Sequence, residues 1–174
     1  SAQVYVDATA TGTATGLTWD DATTTIQSGI ELAAALDRDE IWVSSGIYTE
    51  SVTITTGVAV YGGFASTETL RGQRDFDAHL TALDAGASTR TLTLDLEFST
   101  TQAIIDGLTI TGGQAQGAGQ NGWGGGVLCI SAGIGARLTN CRITTNSAVR
   151  GGGVHSLDSN LALTNCVLRA NTAD

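Results

Sequence analysis

The stretch richest in ionisable side chains carries Glu68, Arg71, Arg74, Asp75, Asp77 and His79. Guanidinium forks and carboxylates in one short segment can grip the hydroxyls or carboxylates of a glycan, and they can equally tie the segment to its own scaffold as ion pairs. Both readings stand at this point. A second set, Gln116, Gln120, Asn121 and Trp123, lies in a glycine-rich segment, 112–126. Amides that both donate and accept, beside an indole whose face can stack on a sugar ring, match a carbohydrate-contact set. The alternative is a flexible glycine loop with its indole tucked against the scaffold.

Catalytic chemistry is harder to assemble. His155, Asp158 and Arg150 are the weak candidates, with His155 the first to mutate, yet as isolated surface or turn side chains they define no catalytic set. Calcium needs six to eight oxygen ligands, and glycoside hydrolysis needs two carboxyls at a set separation. From residue 106 onward the only acids are Asp106, Asp158 and Asp174. No metal site and no cofactor are therefore expected, calcium entering only if the chain belongs to a lyase. Asp95 and Glu97 share one side of a segment whose Leu94, Leu96 and Phe98 take the other, which reads as a solvated face. No Ser-His-Asp arrangement, phosphate-cradling loop or zinc spacing occurs.

The elements that must position these side chains follow from a repeat. Leu138 to Asn146 lies over Leu163 to Asn171 at a shift of 25 residues, with Asn140-Cys141 above Asn165-Cys166. Ile105-Asp106-Gly107-Leu108-Thr109-Ile110 fits the same template, and Gly124-Gly125-Gly126-Val127 lies over Gly151-Gly152-Gly153-Val154. A fixed period of short strands and one-residue corners is a solenoid signature. Alternation within each strand points Leu138, Cys141 and Ile143 inward, with Leu163, Cys166 and Leu168 after them. Thr139, Arg142, Thr164 and Val167 then point outward. Asn140 and Asn165 fall at corners, where asparagine tolerates left-handed angles and its amide can bond its counterpart one period away. Leu108 to Cys141 spans 33 residues. The segment 112–126 thus holds an insertion of eight, and a second insertion is expected over about 65–79.

Further strands are expected at Ile41-Trp42-Val43, Val52-Thr53-Ile54, Val58 to Tyr61, Leu80 to Leu83 and Leu92 to Leu96. One segment, about Thr23 to Leu36, reads as a helix with a stripe of Ile26, Gly29, Ile30 and Ala33, and with Asp20 and Asp21 near its positive N-terminal end. Residues 1–40 are read as a cap containing that helix and 41–174 as coils, all in one domain. The odd cysteine count, Cys129, Cys141 and Cys166, has neither metal nor redox spacing. Inward stacking explains them as free, small hydrophobes.

Composition agrees with many short strands: 23 glycines, no proline and 5% aromatics in 174 residues. The net charge of -9, with every basic residue an arginine, disfavours a phosphate backbone, so nucleic acid is excluded as a partner. A saline habitat and codon usage both remain open as its origin. No apolar run approaches the ~20 residues of a membrane-spanning helix, and Ser1-Ala2-Gln3 reads as a mature end or an artificial boundary.

Four segments together carry a family resemblance. They are Val4-Tyr5-Val6-Asp7; Leu17-Thr18-Trp19-Asp20-Asp21-Ala22; Asp39 to Thr49; and Tyr61-Gly62-Gly63-Phe64. They resemble the N-terminal region of bacterial secreted right-handed parallel β-helix proteins of the pectate-lyase-like superfamily. The Asn-Cys and Gly-Gly-Gly-Val coils are similar to those of its polymorphic outer-membrane and adhesin-like members. The resemblance implies an all-β solenoid with an N-terminal capping helix and a bacterial secreted or cell-surface location. Its function class spans lyases, hydrolases and adhesins.

The expected function is a non-enzymatic scaffold for adhesion, display or glycan contact, with a polysaccharide as partner. The alternatives are a fragment of a polysaccharide lyase or glycoside hydrolase, and a self-associating structural module. The last coil, ending without a cap, is expected to expose Leu161, Leu163, Cys166 and Leu168 and to pair with a second copy as a homodimer.

Overall fold

The computed structural model describes residues 3–97, 99–130, 133 and 135–174. Phe98, expected to face inward, lies outside the described residues. Among the described residues the chain is mostly β, with one α-helix and four sheets, and every strand pair is parallel. The first sheet stacks Gln3–Val6, Glu40–Ser44, Ala59–Phe64, Ala103–Asp106, Ala136–Thr139 and Leu161–Thr164 in that order. The second stacks Gly46–Thr49, Thr81–Asp84, Leu108–Thr111, Arg142–Thr144 and Val167–Arg169. A third holds the short strands Gln114–Ala115, Ser147–Ala148 and Thr172–Ala173, and the fourth holds Val52–Ile54, Leu92–Asp95, Val127–Ile130 and Val154–Leu157. In each sheet spatial order is sequence order, so each strand's partners come from the preceding and following periods.

The register is the one that the repeat implies. Leu138 pairs with Leu163, Arg142 with Val167, and Val127 with Val154. Leu138, Cys141, Ile143 and Cys129 are at most 1% exposed and belong to one apolar core that runs from Val4 and Val6 to Ile143. Cys141 and Cys166 are free thiols. Cys166 is only half-buried, because Leu161–Thr164 and Val167–Arg169 pair on one side alone. For the same reason Leu163 and Leu168 are 42% and 47% exposed, while Leu161 packs partly buried against the core.

The corners use the backbone angles that the strands cannot. Gly107, Asn140 and Asn165 occupy equivalent positions with φ of 78°, 52° and 52°. The two asparagine side chains form a ladder that ends on Asp106: the Asn165 amide donates to Asn140 Oδ1 at 2.6 Å, and the Asn140 amide donates to Asp106 Oδ1 at 2.9 Å. A second ladder faces inward. Asn146 is 1% exposed, donates to the Ile110 carbonyl and to Asn171 Oδ1 at 3.0 Å each, and accepts from the Gly113 N–H at 2.8 Å. Nothing in the strand alternation had singled it out.

The helix spans Ile26–Ala35, shorter than expected at its start because Thr23 bridges to Val6 instead. Ile26, Gly29, Ile30 and Ala33 are its buried stripe, and a side chain at Gly29 would come within 2.5 Å of Val6. The absence of a Cβ there lets the helix lie close on the Gln3–Val6 strand. Its N-terminus is capped by Thr25, and the carboxylate beside it is not Asp20 or Asp21 but Glu50. Glu50 accepts from the Ile26 and Gln27 N–H groups at 2.7 and 3.0 Å. Asp21 is engaged elsewhere, accepting from the Thr13 N–H and hydroxyl at 2.8 Å each. Since the N-terminal amides of a helix attract negative charge, a carboxylate from the next strand region fills the role that sequence proximity had given to Asp20 and Asp21.

A smaller aromatic cluster covers the outer face of the first sheet. Trp42 and Phe64 stack at 4.8 Å, with Tyr5 and Trp19 packed edge-on and tilted against them. Among the described residues, no helix is long and apolar enough to cross a membrane.

Candidate functional site

The two inserted segments have different fates. In the first, every acid and arginine that the sequence singled out is tied to the protein itself. Arg71 pairs with Glu40 at 2.6 Å, Arg74 with Asp106 at 2.8 Å, and Asp77 with Arg142 at 2.6 Å. The Tyr61 ring lies under both guanidinium groups, 4.6 Å from Arg71 and 5.2 Å from Arg74. Glu68 accepts from the Ala65 and Thr67 N–H groups, while Asp75 accepts from those of Asp77 and Ala78. The His79 N–H donates to the Asp75 carbonyl. Of the two readings open for this segment, the ion-paired clasp is the one the geometry realises.

The second insertion is smaller than the sequence suggested. Ala115 to Val127 spans 12 positions where Ala148 to Val154 spans 6, so six residues enter here, and the other two fall between Ile130 and Ala136. The added residues make a 3-10 turn over Gly119–Gly122 that delivers Trp123 to the outer side of the fourth sheet. Trp123 forms a parallel bridge with Arg150. Its ring lies 4.8 Å from that of His155 and 5.9 Å from the Arg150 guanidinium.

Arg90, which sequence reasoning passed over, is the anchor of this arrangement. Its Nε donates to the Trp123 and Gly124 carbonyls at 2.8 and 3.1 Å, and its Nη2 donates to the Gln120 carbonyl. The indole is therefore neither an open platform nor a fully tucked core ring. It is half-buried, with Arg150 and His155 near the ring and Arg90 holding its backbone carbonyl.

Arg90 also lines a groove of about 430 Å³, whose walls include Ser51, Thr53, Gln114, Gln116 and Asn121. Of the sequence-predicted contact set, Gln116 and Asn121 line this groove and Trp123 does not. Gln120 contributes its backbone carbonyl to Arg90, and its side chain is exposed.

His155 sits on the outer face of the fourth sheet, in register with Leu128. Burial, then the neighbouring Arg150 and Arg90 charges, hold its imidazole below the ordinary value. Asp158 is in the turn after that strand, exposed, with a φ of 47°. Among the described residues, no hydrogen bond or ion pair joins it to His155 or Arg150. Among the described residues no group of three or more His, Cys, Asp or Glu side chains could hold a metal ion.

Sequence reasoning could have found the Trp123 and Arg150 pair. Extending the Gly-Gly-Gly-Val alignment back by one residue places Trp123 directly over Arg150. Arg90 left no such signal, since its partners lie about 30 positions ahead in an insertion.

Compared with protein-family models, with curated proteins and with solved structures, the chain matches none of them.

Proposed function

We propose that the chain is a right-handed parallel β-helix with the helix Ile26–Ala35 as its N-terminal cap, and that it serves as a non-enzymatic extracellular or cell-surface scaffold that contacts glycans. The fold reading is supported by wholly parallel sheets whose strands follow sequence order, since parallel crossovers in one sheet are right-handed in nearly all proteins. The functional reading rests on one observation. The insertion that interrupts the repeat puts Gln116 and Asn121 on the wall of one polar groove, and Arg90 of the same wall holds the backbone carbonyl of Trp123. In repeat proteins such insertions collect on binding faces, and amide side chains beside an indole suit hydroxyl-rich ligands.

A glycan array probed with the full chain tests this. Binding should appear on at least one polysaccharide class, and a Gln116→Ala, Asn121→Ala double variant should lose it while unfolding at the same temperature. An array with no binding, or binding that the double variant retains, overturns the glycan reading. Turnover of pectin or alginate with calcium present, abolished by His155→Ala or Asp158→Ala, would overturn the non-enzymatic one.

A further inference from the structure

The arginines near Trp123 lack the carboxylate partners that three of the chain's other six arginines possess. Arg71, Arg74 and Arg142 each have a carboxylate within 2.8 Å. Among the described residues, neither Arg90 nor Arg150 has one within ion-pair distance. Arg90 is fixed by carbonyl oxygens, which orient its guanidinium without neutralising it. Arg150 is exposed and stands 5.9 Å from the Trp123 ring, near the outer limit of a cation–π contact, so it is held loosely. His155 completes the cluster, its ring 4.8 Å from that of Trp123. The groove walls carry hydroxyls and amides and no carboxylate. Asp95 is on the same outer face, one row further along, in register with Ile130.

A concentration of unpaired positive charge is costly anywhere, and it is conspicuous on a protein of net charge -9. The mutual repulsion is expressed at His155, whose proton both arginines disfavour. A ligand anion at this spot would relieve it, and the adjoining hydroxyls and amides would take the neutral parts of the same ligand.

We propose that the Trp123 surface selects sugars that carry a negative charge, a sulfate ester or a carboxylate, with Arg150 and His155 meeting the anion and Arg90 setting the local potential. This rests on the glycan reading above and adds the charge of the sugar to it.

The test titrates the full chain with three oligosaccharides of matched length, one neutral, one uronate-bearing and one sulfated, at low and at physiological salt. At least one charged ligand should bind about tenfold or more tightly than the neutral one at low salt, the advantage shrinking as screening rises. Which charged ligand wins tells a carboxylate from a sulfate. Arg150→Gln should remove most of the advantage. Arg137→Gln, the same charge change at an exposed position of the first sheet, should leave it. Equal affinity for neutral and charged ligands overturns the charge assignment and leaves the glycan reading standing, whereas failure to bind any of the three overturns both. An Arg137→Gln loss as large as that of Arg150→Gln would show a response to net charge alone and overturn the site.

Discussion

The insertion around Arg71 and Arg74 and the one leading to Trp123 are built on the same scaffold, yet they use their arginines in opposite ways. The first carries many charges, and each of its acids and arginines meets an opposite charge, a ring or a backbone amide of its own protein. The second brings no charged side chain of its own and gathers Arg90, Arg150 and His155 from neighbouring strands and turns, without a carboxylate among them. Charge density along the chain therefore misleads as a guide to binding. What separates a clasp from a site is whether the charges are already satisfied.

The largest expected effect tests the clasp. Arg74 and Asp106 are 13% and 14% exposed, and removing one partner of a mostly buried pair strands the other. Arg74→Ala should cost about 3–5 kcal/mol, read as a loss of denaturant midpoint. A cost below about 1 kcal/mol would class the pair with exposed ion pairs and weaken the contrast. Arg90→Ala should cost less, about 1–3 kcal/mol, because it leaves carbonyl acceptors short of a donor rather than a charge uncompensated. It should also loosen Trp123, visible as a change in the tryptophan fluorescence of the folded protein.

A smaller effect depends on pH. His155 is held below its ordinary 6.5, first by burial and then by Arg150 and Arg90, so the unfolded chain takes up that proton at higher pH than the folded one. The contribution is fully present above 6.5 and declines as pH falls from there towards the folded value. His155→Gln should remove this part of the decline, and Arg150→Gln should reduce it, in urea unfolding between about pH 5 and 8. Identical profiles for wild type and both variants would show that the arginines do not act on His155. The smallest effect is that of Arg71→Gln on stability. Arg71 is 47% exposed, so its pair with Glu40 should contribute no more than about 1 kcal/mol.

Most of the scaffold could be read from the residues, because a period forces every strand to agree with its neighbours. The pairing of Leu138 with Leu163 and of Val127 with Val154 follows from laying the chain on itself. The buried stripe of the helix follows from its spacing, and the Asn140 and Asn165 ladder from corner chemistry. What escaped were contacts between periods that differ. Glu50 reaches the helix from beyond the next strands, and Arg90 reaches carbonyls in an inserted turn. Neither contact repeats, so no alignment of the chain on itself could reveal it. The residues of the candidate site were named in separate pieces, Gln116, Asn121 and Trp123 as a contact set and Arg150 and His155 as weak catalytic candidates, while Arg90 was passed over.

The inward asparagines bear on a hazard that near-identical repeats create. A strand slipped by one whole period would still find matching apolar neighbours, so hydrophobic burial alone discriminates poorly between the two alignments. Asn146 breaks that degeneracy. Its side chain is buried and needs the Gly113 N–H and the Ile110 carbonyl on one side and Asn171 on the other. The position before it in the ladder is Gly113, where a side chain would come within 1.8 Å of the Gly125 carbonyl. An asparagine shifted into that place would collide, and Asn146 moved out of its own would strand a buried amide. The ladder works as a key with one notch, admitting a single alignment of the last periods on those before them.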